Sequence, residues 1–333
     1  MDRRTALTRR SVLGLVVGSA LVTGCRIDSG AADSTDAHAG TGRATADATA
    51  DATPAGSPAP TTPSVTAHIP ELPRGGRVLF PHYRLAGWCG APSASTLGAL
   101  GLGDLAHRAD EMVAGVAAYA AERTVLPVIE LITVVVQGSP GSSGLWRYRQ
   151  PGSVVDHWLQ VARDHKALLL LNIQPGRAAF MDEVTALAGY LREPDVGIAL
   201  DPEWAMGPGQ VPGHAYGHTD GATIDDIARY LSSIVAANDL PEKVLVYHQV
   251  ARSVVRGPAA IKRHDGVEII RSVDGIGSPS EKISTWKWIG RQRNPAVRSG
   301  FKLFFSEDRR HGRLMTPAEV LALTPRPDYV MYE

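Results

Sequence analysis

Asp201 and Glu203 stand two positions apart in the stretch Val196-Gly-Ile-Ala-Leu-Asp-Pro-Glu-Trp204. An apolar run short enough to bury as a strand ends there in two carboxylates, with Pro202 between them. Strand periodicity sends both acids to one face if the extended geometry continues through the proline. Pro202 has no N–H to give to a ladder, so the strand should stop at about that point. The residue before a proline is confined to extended backbone, which keeps Asp201 aimed. Two acids fixed at the mouth of a buried strand are costly to desolvate, and such arrangements usually serve chemistry or ligand binding. Held in different protonation states, they could do acid/base work.

The rest of the domain must supply a frame for this pair. Apolar, β-branched runs recur at 77–81, 125–136, 167–173, 196–200, 243–248, 267–273, 300–305 and 328–332. Between them lie stretches with helical spacing. Leu105, Ala109, Met112, Val116 and Tyr119 mark a helix ending near 122, and Val154, Val155, Trp158 and Val161 follow a cap at Ser153. Further helices are expected over 177–192, from a capping box at Thr223-Ile-Asp-Asp226 to about 238, and over 280–290. Thr316-Pro-Ala-Glu319 opens a short last one. The connection 251–263 reads poorly as a helix, and 87–103 reads as a small-residue loop. Strands apolar on both faces belong to a parallel sheet covered by helices. Eight of them with crossovers imply an α/β fold, a (β/α)8 TIM-like barrel over 71–333. No Gly-x-Gly-x-x-Gly follows an early strand, which argues against an open doubly wound sheet.

Barrel chemistry sits where the strands finish. On this reading the finishing residues are His82, Tyr83, Gln137, Gln174, Asp201, Glu203, His248, Gln249, Asp274, Glu307, Asp308 and Tyr332, with Trp88, Trp146 and Trp204 near them. The set holds carboxylates, amides and aromatics and no lysine. Amides and acids bond hydroxyls, while indole and phenol faces stack on sugar rings. Tyr83, Trp88, Gln174, Trp204, His248 and Gln249 are therefore the candidate substrate-binding residues. Asp201, Glu203, Asp274 and Glu307 are the candidate catalytic ones. Glycoside hydrolysis needs one protonated acid and a second carboxylate as nucleophile, base or stabiliser.

Two resemblances place that pair. Glu203 on strand four with Glu307 on strand seven resembles the clan of retaining barrel glycosidases, although Pro202 stands where that clan has Asn. The Asp201-Pro202-Glu203 stretch also resembles the Asp-x-Glu strand-four motif of barrel muramidases and chitinase-like enzymes. There the substrate's N-acetyl group attacks and the Asp positions it. The muramidases keep an Asp on strand one, where this chain has Pro81-His82-Tyr83. Bland readings stand beside these. Glu307-Asp308 precedes Arg309-Arg310 and could be a solvated turn, and Asp274 sits in the turn-like Val-Asp-Gly-Ile-Gly. His248 could be a satisfied strand-end histidine, and Glu130 a paired buried charge within the scaffold. His214 and His218 have metal-like spacing, but their Gly-rich loop lacks the rigid helix that gives such spacing meaning. No metal and no cofactor is expected.

The chain starts with Arg3-Arg4 and Arg9-Arg10, then an apolar run from Val12 to Val22 too short to span a bilayer permanently. Val22-Thr-Gly-Cys25 resembles the lipobox of bacterial lipoproteins, which implies cleavage after 24 and acylation of Cys25. Thr8-Arg9-Arg10-Ser11-Val12-Leu13 resembles a twin-arginine signal and implies export of a folded protein. From 26 to 70 the composition is mainly Ala, Thr, Asp, Ser, Pro and Gly, from which a disordered tether is expected. With net charge +0 there is no basic field for nucleic acid. If Cys25 is acylated, Cys89 has no partner for a disulfide. The whole implies a protein held by lipid on the outer face of the cell membrane. Its barrel would act on cell-envelope or extracellular polysaccharide, or on a peptidoglycan-like polymer. A non-catalytic carbohydrate-binding or scaffold lipoprotein is the competing reading.

Overall fold

The computed structural model describes residues 69–333. The expected signal sequence, the lipobox-like stretch with Cys25 and nearly all of the expected tether lie outside the described residues. Among the described residues no helix is long and apolar enough to cross a membrane.

Eight parallel strands close into a barrel: β1 (Tyr83–Gly90), β2 (Thr124–Val136), β3 (Leu168–Ile173), β4 (Val196–Leu200), β5 (Lys243–Gln249), β6 (Val267–Val273), β7 (Val297–Leu303) and β8 (Tyr329–Tyr332). Each pairs with the next in chain order, and β8 returns to β1 through Leu85↔Tyr329. Helices α1 (Leu105–Val116), α2 (Gly152–Asp164), α3 (Phe180–Ala186), α4 (Gly221–Ala237) and α5 (Pro279–Ile289) fill successive crossovers. The β5–β6 crossover carries no α-helix; it has 3-10 turns at Arg252–Val254 and Pro258–Ala260 and a two-residue strand, Val255–Arg256, between them. Two short helices, α6 (Glu307–Arg310) and α7 (Pro317–Leu321), complete the circuit. The expected (β/α)8 barrel is the observed fold.

Period-two alternation splits the apolar residues into two layers. Leu85, Val128, Leu170, Ala199, Val246 and Ile270 fill the barrel. Ala86, Ile129, Leu169, Ile198, Leu245 and Ile269 face the helices.

Four local expectations are corrected. The 77–81 run is not a strand. Leu79 and Phe80 instead join Leu72 in the cluster that fills the barrel, and the N–H of Leu79 donates to the Glu242 side chain at 2.6 Å. The first strand, Tyr83–Gly90, runs on into the 87–103 stretch that reads as loop, because Gly87 is required there: a Cβ would stand 1.7 Å from the Val128 carbonyl oxygen. Helix α3 is much shorter than 177–192. Its buried Glu183 is clamped by Arg147 and Arg149 of a short strand, Arg147–Arg149, which pairs antiparallel with the end of β2. Helix α4 is capped by Asp220, which accepts the Thr223 N–H at 2.8 Å, rather than by Thr223 itself.

Candidate functional site

The inward face that is apolar through most of each strand turns polar at the C-terminal ends. Cys89 on β1, Glu130 on β2, Asn172 on β3, His248 on β5, Ser272 on β6 and Lys302 on β7 are all buried. Asp201, Asp274 and Glu333 follow β4, β6 and β8 directly. Every strand thus contributes at least one polar or ionisable group to a single, largely buried layer. Four carboxylates of that layer are set against two cations.

Specific contacts tie the layer together. His248 Nδ1 lies 2.9 Å from Asp274 Oδ2, and Nε2 lies 3.2 Å from Glu130 Oε1 and 4.0 Å from Asp201 Oδ1. The Nε2 contact is ionic rather than an aligned hydrogen bond, since that nitrogen has no well-directed acceptor. With carboxylates at both nitrogens, the ring is held as the imidazolium. Burial pushes His248 down, but the Asp274 and Glu130 charges outweigh it and keep it well above the usual histidine range. Asn172 Nδ2 donates to Glu130 Oε1 at 2.9 Å and to Asp201 Oδ1 at 3.1 Å. Gln174 Nε2 donates to Asp201 Oδ2 at 3.1 Å. Tyr329 donates to the other Glu130 oxygen at 2.6 Å, and Ser272 to Asp274 at 2.9 Å. Lys302 Nζ stands 2.7 Å from Glu333 and 3.7 Å from Asp274.

Glu203 is the exception in this network. It lies in a 3-10 turn, Pro202–Trp204, directly behind Asp201. Its Oε2 is buried with no hydrogen-bond partner. Burial first, then repulsion from Asp201 and Asp274, holds its carboxyl well above the usual range. Asp274 is the opposite case: burial works against its ionisation, but His248 and Lys302 bring it below the usual value. Asp201 is raised by burial, against which His248 and Lys302 act. The layer therefore pushes the Glu203 carboxyl up and the Asp274 carboxyl down, a separation of the kind that acid/base chemistry draws on. The loop after Glu203 is folded back on it, with the Gly217 N–H donating to the Glu203 carbonyl at 2.6 Å. A Cβ at Gly217 would meet the Ala205 carbonyl oxygen at 2.1 Å.

The sequence candidates divide. Asp201, Asp274, His248 and Gln174 meet in the network, with Glu203 beside them. Gln249 is buried at the end of β5 and its Nε2 has no partner. Trp204 is half-buried next to Glu203. Tyr83 is a correction: it starts β1, at the opposite end of the barrel, and its hydroxyl donates to the carbonyls of Arg74 and Gly75 at 2.9 and 2.8 Å. Trp88 is another. It points outward from β1, away from the barrel interior, in a T-shaped contact with Phe305 at 5.0 Å and with Arg108 over its ring at 5.3 Å.

Glu307 is not joined to the layer. Its ionic contact is with Arg310 at 3.7 Å, while its neighbour Asp308 is the buried acid. Asp308 accepts the N–H groups of Phe304 and Gly277, both at 3.0 Å, and pairs with Lys282 at 3.0 Å. Inside β7 the charge is a cation, Lys302, so the expectation of a lysine-free site is also corrected. The alternation Gly300-Phe301-Lys302-Leu303 carries that signal, since Phe301 and Leu303 pack on the helix side. Among the described residues no cluster of His, Cys, Asp and Glu has the geometry to hold a metal ion.

No family model matches this chain, and no curated protein matches it. Among solved structures it is similar to the xylanase and alpha-amylase inhibitor protein of Scadoxus multiflorus, at 13% identity and a TM-score of 0.41, covering 75% of this chain and 92% of that chain. The barrel assignment stands on the strand pairing itself.

Proposed function

We propose that this barrel is a glycoside hydrolase acting outside the cytoplasm on a cell-envelope or extracellular polysaccharide. The observation that carries the reading is the Glu203 carboxyl, buried and without a partner at Oε2, behind an Asp201 anchored by two amides. Glu203 is the general acid that protonates the leaving oxygen. Asp201 is the carboxylate that answers the positive charge developing on the sugar or activates water. His248 is not a base, since both its nitrogens face carboxylates; it is a fixed cation that supports ionisation of Asp274 and Asp201. The Glu203–Glu307 pairing across strands four and seven draws no support from the contacts of Glu307, so the adjacent Asp201–Glu203 pair is preferred.

The test is hydrolysis of a panel of envelope and plant polysaccharides by the wild type, Glu203→Gln and Asp201→Asn. Loss of a general acid lowers turnover by about 10²–10⁴-fold. Wild-type turnover retained in Glu203→Gln removes it from the mechanism. The lipobox at Val22–Cys25 supports attachment to the outer face of the membrane, and loss of membrane fractionation in Cys25→Ser tests it.

A second reading rests on a separate observation. His248, Asp274 and Lys302 are interlocked and nearly inaccessible, as a scaffold hub would be. A carbohydrate-binding protein without turnover would keep that hub, and saccharide binding with no hydrolysis across the panel would favour it.

A further inference from the structure

We infer that Arg177, stacked on Trp146 beside the loop that carries Glu203, is a subsite for a sugar unit bearing a carboxylate or phosphate group. Its role as a substrate subsite rests on the reaction proposed above; the binding itself does not.

Arg177 lies in the turn after β3, three residues beyond the Gln174 that holds Asp201. Its guanidinium carbon is 4.8 Å from the Trp146 ring centroid, and Nη2 donates to the Gln210 carbonyl at 2.8 Å. Nε is buried and has no partner, and neither has the nearby Trp146 Nε1. Among the described residues no carboxylate stands within ion-pair distance of Arg177. Its neighbours differ: Arg147 and Arg149 share the one Glu183 carboxylate, at 2.8 and 2.7 Å. The fold thus supplies a counter-charge to two arginines on this rim and withholds it from the third. A half-buried cation without a counter-ion is costly. A guanidinium has five donors in a planar fork that matches carboxylate and phosphate oxygens. One of those donors is used by the protein.

The arginine is also held rigidly. Its backbone N–H donates to the Leu145 carbonyl at 2.8 Å, and the Met206 N–H to the Gly176 carbonyl at 2.7 Å, which knits the loops after β2, β3 and β4 together. At Gly176, φ +60°, a Cβ would meet the Leu145 carbonyl oxygen at 2.4 Å. Trp146 itself has φ 56°, a left-handed backbone that a tryptophan adopts only where its surroundings impose it. The adjoining layer is rich in carboxylates and would repel an anionic sugar. Arg177 is the cation placed to offset that repulsion.

The experiment measures binding to the full-length chain carrying Glu203→Gln, so that nothing is turned over. The probes are polygalacturonate, its methyl ester as the uncharged form of the same backbone, and a poly(glycerol phosphate). The expectation is that the free acid binds about tenfold or more tightly than the ester and loses that advantage at high salt. Arg177→Gln abolishes the difference, and Arg177→Lys, which keeps the charge but not the fork, retains part of it. Binding of both anionic polymers supports a general oxyanion subsite; binding of one alone supports the subsite and names its group. Equal binding of acid and ester, with no Arg177-dependent binding of the poly(glycerol phosphate), overturns the proposal. So does an Arg177→Gln variant that weakens both equally, because Arg177 is then only a tie between loops. If Arg177→Gln does not fold, Arg177→Lys carries the same comparison. Selective binding without hydrolysis in the wild type would overturn the proposed reaction and leave the subsite standing.

Discussion

His248 and Asp274 meet at 2.9 Å through the imidazole Nδ1, with Glu130 on the other side of the ring at 3.2 Å. A histidine bracketed in this way is a structural cation, and its charge state governs the layer around it. The His248 pKa is raised, so its contribution to stability is complete below the unfolded value of about 6.5 and is lost only as pH rises through the folded value. The Asp274 pKa is lowered, so its contribution is present above the unfolded value of about 3.9 and is lost as pH falls through the folded one. Both are in force at neutral pH. His248→Gln strands buried carboxylates and should cost about 3–5 kcal/mol at pH 7. Urea unfolding checks this, and the deficit should shrink in acid, where the carboxylates are protonated. A neutral effect at pH 7 would mean that the ring is uncharged.

Glu203 has the opposite sign. Its pKa is raised, so the folded state holds a proton that the unfolded state releases above about 4.5. Stability falls as pH rises from there toward the folded value. Glu203→Gln removes that liability and keeps the shape. Thermal unfolding should show a higher Tm for the variant at pH 7, with the gap closing by pH 4, while turnover is lost. Stabilisation by loss of a polar group is the signature of a residue kept for function rather than for folding. A lower Tm at pH 7 would mean an ionised, paired Glu203.

Gly87→Ala tests the close approach of β1 to β2. A Cβ at Gly87 would stand 1.7 Å from the Val128 carbonyl oxygen and 2.5 Å from its carbon, a backbone clash that no rotamer change relieves. The expected loss exceeds the ordinary overpacking cost of about 1–3 kcal/mol, read as a shift of the urea midpoint or as failure to accumulate soluble protein.

The same glycine shows where the sequence could be read and where it could not. Strand β4 is visible because it is apolar on both faces, and β6 because Val267, Ile269, Ile270 and Val273 outweigh its Glu268, Arg271 and Ser272; their observed ends match the runs 196–200 and 267–273. Strand β1 is hidden because contact with β2 demands small residues, and small residues read as loop. The apolar Leu79-Phe80 pair reads as a strand because it fills the barrel with the interior cluster, and burial alone does not distinguish a plug from a strand. Asp201, Glu203 and Asp274 were legible as acids at strand ends. Lys302 was not, because a single cation in an apolar run becomes meaningful only when the alternation is tracked around a closed barrel.

Glu307 and Asp308 are neighbours with opposite burdens, and substitutions separate them. Asp308 is fully buried, accepts two backbone N–H groups, and is the counter-charge of Lys282, itself almost inaccessible. Asp308→Ala leaves that ammonium unpaired and two donors unsatisfied, and should cost about 3–5 kcal/mol. Asp308→Asn, which keeps an acceptor but not the charge, should recover part of this. Glu307 lies at the start of α6 with a contact to Arg310 at 3.7 Å, a partly exposed pair worth about 0–1 kcal/mol. Glu307→Gln should leave the urea midpoint nearly unmoved, and turnover of any polysaccharide the wild type cleaves should stay within about twofold, well short of the loss of a catalytic carboxylate. A large fall in turnover with stability intact would restore a strand-seven acid to the mechanism, and would require the α6 turn to move toward Asp201 when substrate binds.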